Sequence, residues 1–164
     1  MLPPMPEITV TPIARVHNPR GTLEDDNWGG LVSEIILEPE FPPESLDGIE
    51  TFSHAEIIFS FHRASQEKVV HGARRPRGNP DFPPVGIFAQ RNKDRPNHLG
   101  LATARILRRE GRSLFVEGLD AVDGTPVLDI KPVMTEYLPR GPLRQPDWTR
   151  EMLKNYWNDP TEVK

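Results

Sequence analysis

Prolines punctuate this chain from end to end, nineteen of them over 164 residues and none gathered into a low-complexity tail. Proline holds its own φ near −65°, removes a main-chain donor and pushes the preceding residue away from the helical region. Long helices are therefore scarce, and the chain is suited to short strands joined by long ordered loops. Runs with period-two alternation agree with that reading. They cover residues 8–16, where Pro12 marks an edge or bulge, then 31–38, 54–62, 85–89, 99–109, 113–119 and 126–130. In the third run Ala55, Ile57, Phe59 and Phe61 fall on the inward face. Glu110-Gly111-Arg112 supplies a tight turn between two runs, and residues 42–52 form a short helical turn with Leu46, Ile49 and Phe52 on one side. Only residues 147–157 have a regular helical period, with Asp147 as N-cap and Trp148, Met152 and Tyr156 recurring every fourth residue. The expected fold is mostly β: a small antiparallel β-barrel with short peripheral helices and a C-terminal helix. Residues 1–164 read as one domain, with a core at about 8–138 and an appendage at 139–164.

Several function classes fall away. Without cysteine there is no disulfide, thiol nucleophile or thiolate metal site. No apolar run approaches the roughly 20 residues that span a membrane, and the first residues lack the pattern of a secretion signal. The expected location is the cytoplasm. A net charge of −4 with a pI near 5.7 opposes nucleic-acid binding by bulk electrostatics, although Arg74, Arg75 and Arg77 make one local basic loop. No two glycines are spaced G-x-G, no glycine precedes a lysine and no HExxH occurs, so dinucleotide, P-loop and zincin signatures are absent. His54 and His62 share a strand face but lie roughly 27 Å apart, too far to chelate one ion. No metal is expected.

Three constellations carry chemistry. Arg91 and Arg95 precede Pro96-Asn97, which holds Arg95 extended and lets Asn97 support a turn. Two fixed guanidinium forks suit a carboxylate or phosphate; the alternative is a turn ion-paired to Asp94 or a distant acid. In residues 119–132, Asp123-Gly124 marks a turn and Thr125-Pro126 an extended entry. Asp129 and Lys131 then share a strand face, either as a buried structural pair or as charge offered to a ligand. Finally, His62-Arg63 ends the strongest strand, a common functional location and an equally common place for a satisfied histidine.

The ordered motifs TFSHAEIIFSFHR, RGNPDFPPVGIFAQR, RPNHLGL and LDAVDGTPVLDIKPV resemble the TsaA-like family, the YaeB or TrmO type of S-adenosylmethionine-dependent methyltransferase, over residues 8–137. The resemblance implies a β-barrel that binds S-adenosylmethionine without a Rossmann glycine loop, as a homodimer with the cofactor near the subunit boundary. It implies cofactor contacts at His62, Arg63, Arg91 and Leu101, with Arg95 and Asn97 in the family's Arg-Pro-Asn turn. Asp123, Gly124, Thr125, Pro126, Asp129 and Lys131 belong to a wall of the same pocket. The family's Thr-Arg-Ser-Pro run is replaced here by Gln90-Arg91-Asn92-Lys93, and His98 stands at the place of a second proline. Where many members carry Pro-Arg-Gln, this chain has Asp26, Asn27 and Trp28, with Trp28 either a stacking face for a base or a core-covering residue. The implied reaction is in-line transfer of a sulfonium methyl, with Asp129, His62 and His98 as candidate bases on chemistry alone. The implied substrate is the N6 of threonylcarbamoyl-adenosine beside the anticodon of tRNA, contacted through the Arg74–Arg77 loop. A small-molecule acceptor, or a barrel that binds the cofactor or RNA without turnover, are the alternatives.

Overall fold

The computed structural model describes residues 1–161. Its strands are β1 (Ala14–His17), β2 (Val32–Leu37), β3 (His54–Ser60), β4 (Ala73–Arg74), β5 (Val85–Gly86), β6 (Leu99–Glu110), β7 (Ser113–Glu117) and β8 (Pro126–Pro132). Six of them close a barrel in the order β1-β2-β7-β6-β3-β8, and every neighbouring pair is antiparallel. The expected antiparallel barrel is the observed one. β4 and β5 form a separate two-stranded ladder. Alternation fills the lumen: Val16, Ile35, Ile57, Phe59, Ala102, Leu114, Val116 and Val127 are buried, while their strand neighbours face out. Gly100 is needed at the widest side chain, because a Cβ there would strike the Phe59 ring. Gly111, at φ +58, makes the β6–β7 turn.

Three elements depart from the sequence reading. Residues 8–13 do not join β1, which begins only at Ala14, and Ile8 and Val10 are exposed; Pro12 has no N–H to offer a ladder. Residues 85–89 give two strand residues and then a 3₁₀ turn, Ile87–Ala89, leaving Phe88 exposed. The C-terminal helix α1 spans only Asp147–Met152, its N-cap is Pro146, and Asp147 is the first helical residue rather than the cap. It stops early because its continuation is engaged elsewhere. The N–H groups of Asn27, Trp28 and Gly29 donate to the carbonyls of Asn155, Tyr156 and Asn158 at 3.1, 2.8 and 3.2 Å. Residues 153–159 thus form a strap laid along the Asp26–Gly30 loop. Trp148, Met152 and Tyr156 do make the half-buried face that the period implied. No helix among the described residues is long and apolar enough to cross a membrane.

Candidate functional site

The loop between β5 and β6 is built around two buried polar side chains. Gln90 Nε2 donates to the carbonyls of Arg74 and Val85, 2.9 Å each, tying the loop to the β4–β5 ladder. Its Oε1 accepts from Asn92, whose own Oδ1 accepts the Asp94 N–H. The Asp94 carboxylate is 7% exposed and meets Lys93 at 2.8 Å and Arg74 at 3.1 Å. Burial works against its charge, but the two cations outweigh burial and hold its carboxyl below the usual range. Asp94 therefore pairs with Arg74 and Lys93, and not with Arg91 or Arg95. Those two donate to main chain: Arg91 to the Leu101 carbonyl at 2.5 Å, Arg95 to that of Gln90 at 2.6 Å. A guanidinium has five N–H donors, so each retains donors for a ligand.

Pro96-Asn97-His98 then turns the chain into β6, with Asn97 at φ 66 and His98 at φ 49. The His98 N–H donates to the Arg95 carbonyl at 3.1 Å, and its carbonyl accepts the Phe61 N–H at 2.8 Å. This places the loop against the end of β3, where His62 and Arg63 leave the sheet. Partial burial, then the charges of Arg63 and Arg15, lower the His62 pKa, so its imidazole is neutral at neutral pH. Gly124, at φ +80, faces it: a Cβ there would lie 3.8 Å from His62 Nε2. Arg63 donates to the Gly21 carbonyl. Asp123 accepts from the Asn18 N–H at 3.1 Å and lies 2.9 Å from His17 Nδ1, contacts that lower its pKa. Thr125 is buried with its hydroxyl on the Val122 carbonyl, and Pro126 opens β8.

Leu101, Ile58 and Asp129 stand side by side on three adjacent strands, β6, β3 and β8. At about 4.8 Å per strand, Leu101 and Asp129 are about 10 Å apart. Asp129 bonds Lys131 at 2.5 Å with both side chains well exposed, which corrects the buried-pair alternative. Lys131 also lines a shallow cavity of about 250 Å³ with Glu56, Met134, Tyr137 and Leu138.

The structure thus brings His62, Arg63, Arg91, Arg95, Asn97, Leu101 and the Asp123–Pro126 turn around the adjoining ends of β3 and β6. Asp26, Asn27 and Trp28 belong to a different junction. Asp26 receives both Arg77 guanidinium nitrogens, at 2.8 and 3.0 Å, and Asn27 is held by Arg20 and the strap. Trp28 is 5% exposed with the Arg20 guanidinium 3.6 Å from a ring centroid, which agrees with the core-covering alternative and not with a stacking face open to a base. The basic loop is committed too: Arg74 to Asp94, Arg75 to the Pro80 and Phe82 carbonyls, and Arg77 to Asp26. The sequence reading missed Asp120 and its partner Tyr156, whose hydroxyl donates to Asp120 Oδ2 from the strap. Burial raises the Asp120 carboxyl, and Tyr156 and the charge of Arg91 oppose that rise. The strap that carries Tyr156 passes close to Gly29, where any Cβ would collide with the Trp157 carbonyl. Among the described residues no cluster of three His, Asp or Glu side chains could hold a metal.

Against known proteins, residues 19–137 match the model of the tRNA-methyltransferase O N-terminal domain. The mouse tRNA (adenine(37)-N6)-methyltransferase is 41% identical over 96 residues, 58% of this chain and 22% of that protein. A Methanothermobacter thermautotrophicus protein, named "Probable S-adenosyl-L-methionine-binding protein", is 36% identical over 133 residues, 77% of this chain and 90% of its own. A crystal structure of TrmO from Pseudomonas aeruginosa superposes with a TM-score of 0.68 at 27% identity, over 87% of this chain and 62% of that one. The chain spans about a fifth of the length of the mammalian relatives it matches.

Proposed function

This chain belongs to the family of the tRNA-methyltransferase O N-terminal domain, and on that premise we propose that it is an S-adenosylmethionine-dependent methyltransferase acting on the N6 of the adenosine beside the anticodon of tRNA. One observation supports this most: arginines with spare donors, an uncharged histidine and an exposed leucine converge where β3 ends and β6 begins. The residues fit the cofactor. Arg91 and Arg95 offer N–H groups to a carboxylate, Leu101 offers an apolar surface to a base, and the Gly124 turn lets a ligand approach closely. When bound, S-adenosylmethionine supplies a methyl group activated by its positive sulfur. His62, whose pKa is lowered by partial burial and then by the charges of Arg63 and Arg15, adds no charge that would repel that sulfur and can take up a proton at a ring nitrogen. Asp129 is the weaker candidate base, since one of its carboxylate oxygens is occupied by Lys131 at 2.5 Å. The walls of the site contribute by holding acceptor and methyl donor in line and by excluding water.

The proposal includes a homodimer that covers Leu99 and Phe88, apolar side chains exposed beside the site; a dimer mass in sedimentation velocity is the expected result. A second reading, a small-molecule acceptor, draws support from the pairing of Arg74 with Asp94 and of Arg77 with Asp26, which neutralises two of the three charges in that loop and leaves Arg75 alone for a phosphate backbone. Purified protein with methyl-labelled cofactor, incubated separately with total tRNA and with a metabolite extract, separates the two. Label is expected in tRNA, and lost when the tRNA comes from cells lacking the threonylcarbamoyl modification. Label confined to small molecules would establish the second reading.

A further inference from the structure

We propose that the cavity on the outer wall of β3 and β8 takes the acceptor base, with Tyr137 stacking on an unstacked adenine ring and Glu56 and Lys131 bonding its Watson–Crick edge. The inference rests on the tRNA reading above and names the part of the molecule that holds the substrate.

The floor of the cavity is polar and its walls are apolar. Glu56 and Lys131 are register partners on β3 and β8, so their side chains stand next to each other on the outer face. They offer one acceptor and one donor side by side. Lys131 bonds Asp129 at 2.5 Å, and an ammonium has three N–H donors, so two remain for a ligand. The Watson–Crick edge of adenine carries the matching pair, an N6–H donor beside the N1 acceptor. With two carboxylates and one ammonium, the group of Asp129, Glu56 and Lys131 disfavours a phosphate and suits an uncharged ring. Around this floor stand Pro132, Met134, Tyr137 and Leu138. Tyr137 is 84% exposed yet sits on a fixed backbone: the Val133 N–H donates to the His54 carbonyl at 3.0 Å, and the Tyr137 N–H closes a 3₁₀ turn on the Met134 carbonyl at 3.0 Å. An open aromatic ring on a pinned turn is a stacking platform. Stacking together with bonds to the Watson–Crick edge is how enzymes hold a base taken out of its stack. The volume, about 250 Å³, lies just below the roughly 300–1,000 Å³ of pockets for drug-sized ligands, a size suited to one base. Position agrees with chemistry. Glu56 shares its face with Ile58, two residues on, and Ile58 stands beside Leu101 of the proposed cofactor site. The edge of a base seated on Glu56 is therefore about 7 Å, one pleat repeat, from the row that contains Leu101.

The test compares wild-type protein with Tyr137→Ala, Tyr137→Phe and Glu56→Leu. Three quantities are measured: the kinetics of methyl transfer to an anticodon stem-loop RNA carrying the threonylcarbamoyl group, S-adenosylmethionine affinity by titration calorimetry, and mass by sedimentation velocity. Tyr137→Ala is expected to raise KM for the RNA about 10-fold through one lost stacking contact, with cofactor affinity and mass unchanged. Tyr137→Phe, which keeps the ring, is expected to recover most of that loss, and Glu56→Leu to raise KM as well. An unchanged KM in Tyr137→Ala overturns the proposal. So does an equal loss of cofactor affinity, which would assign the cavity to S-adenosylmethionine, or a change in mass, which would make this face a contact between copies of the chain. Wild-type protein that binds S-adenosylmethionine and transfers no methyl to the RNA would instead overturn the tRNA reading itself, and this pocket with it.

Discussion

Asp94 shows how a single side chain fixes the loop that carries the arginines. Its pKa is depressed in the fold, so its ionised form contributes stability above its unfolded pKa of about 3.9, and that contribution is lost as the pH falls through the lower folded value. Asp94→Asn is therefore expected to cost about 1–3 kcal/mol at pH 7 by urea unfolding, and much less near pH 3. Asp120 has the opposite sign. Its carboxyl is raised by burial, so the fold penalises the charged form, and Asp120→Asn, which can still accept from Tyr156, should be neutral or stabilising in the same assay. Part of this was legible beforehand. The Arg-Pro-Asn turn and the Asp123-Gly124 turn follow from local chemistry, because proline and glycine dictate backbone angles wherever they stand. The ion-pair partners were not, since Asp94 reaches back twenty residues to Arg74 and Asp26 reaches forward to Arg77. Such pairings depend on how loops fold over the barrel, which no spacing rule encodes.

At the level of elements, alternation located the barrel strands because each has one face in the lumen and one in solvent. It overextended both ends: residues 8–12 alternate but lie outside the ladder that starts at Ala14, and of residues 85–89 only Val85 and Gly86 pair with a strand, β4, before the chain turns. The C-terminal segment repeats the lesson: its helical period continues past Met152 through Tyr156, yet the carbonyls beyond the helix serve the Asp26–Gly30 loop instead. Gly29 is the point on which that strap depends. Gly29→Ala would drive a methyl into the Trp157 carbonyl, and is expected to speed proteolysis within residues 138–161 several-fold. Gly21→Ala, which meets nothing, serves as the control. Equal proteolysis of the two variants would mean that the strap is held by its side chains alone.

For the whole molecule, the barrel is sealed unevenly. β3 and β6 pair over seven residues, whereas β1 and β8 meet in register only at Ala14–Val127 and Arg15–Pro126. Native-state hydrogen exchange is expected to find the Ile13 and Val16 amides, which bond across this seam, among the least protected of the barrel, with Ile57 and Ala102 near the global limit. The seam also has a history. Ala14 and Val127 are more than a hundred residues apart, and at about 5–20 residues per second the ribosome delivers the second several seconds after the first. Throughout that interval β1 and β2 are a nascent hairpin with an uncovered apolar face, and the ring of strands can close only when synthesis of the proposed cofactor wall is nearly finished. For this barrel, the last step of folding and the completion of its ligand site fall at the same moment in the life of the chain.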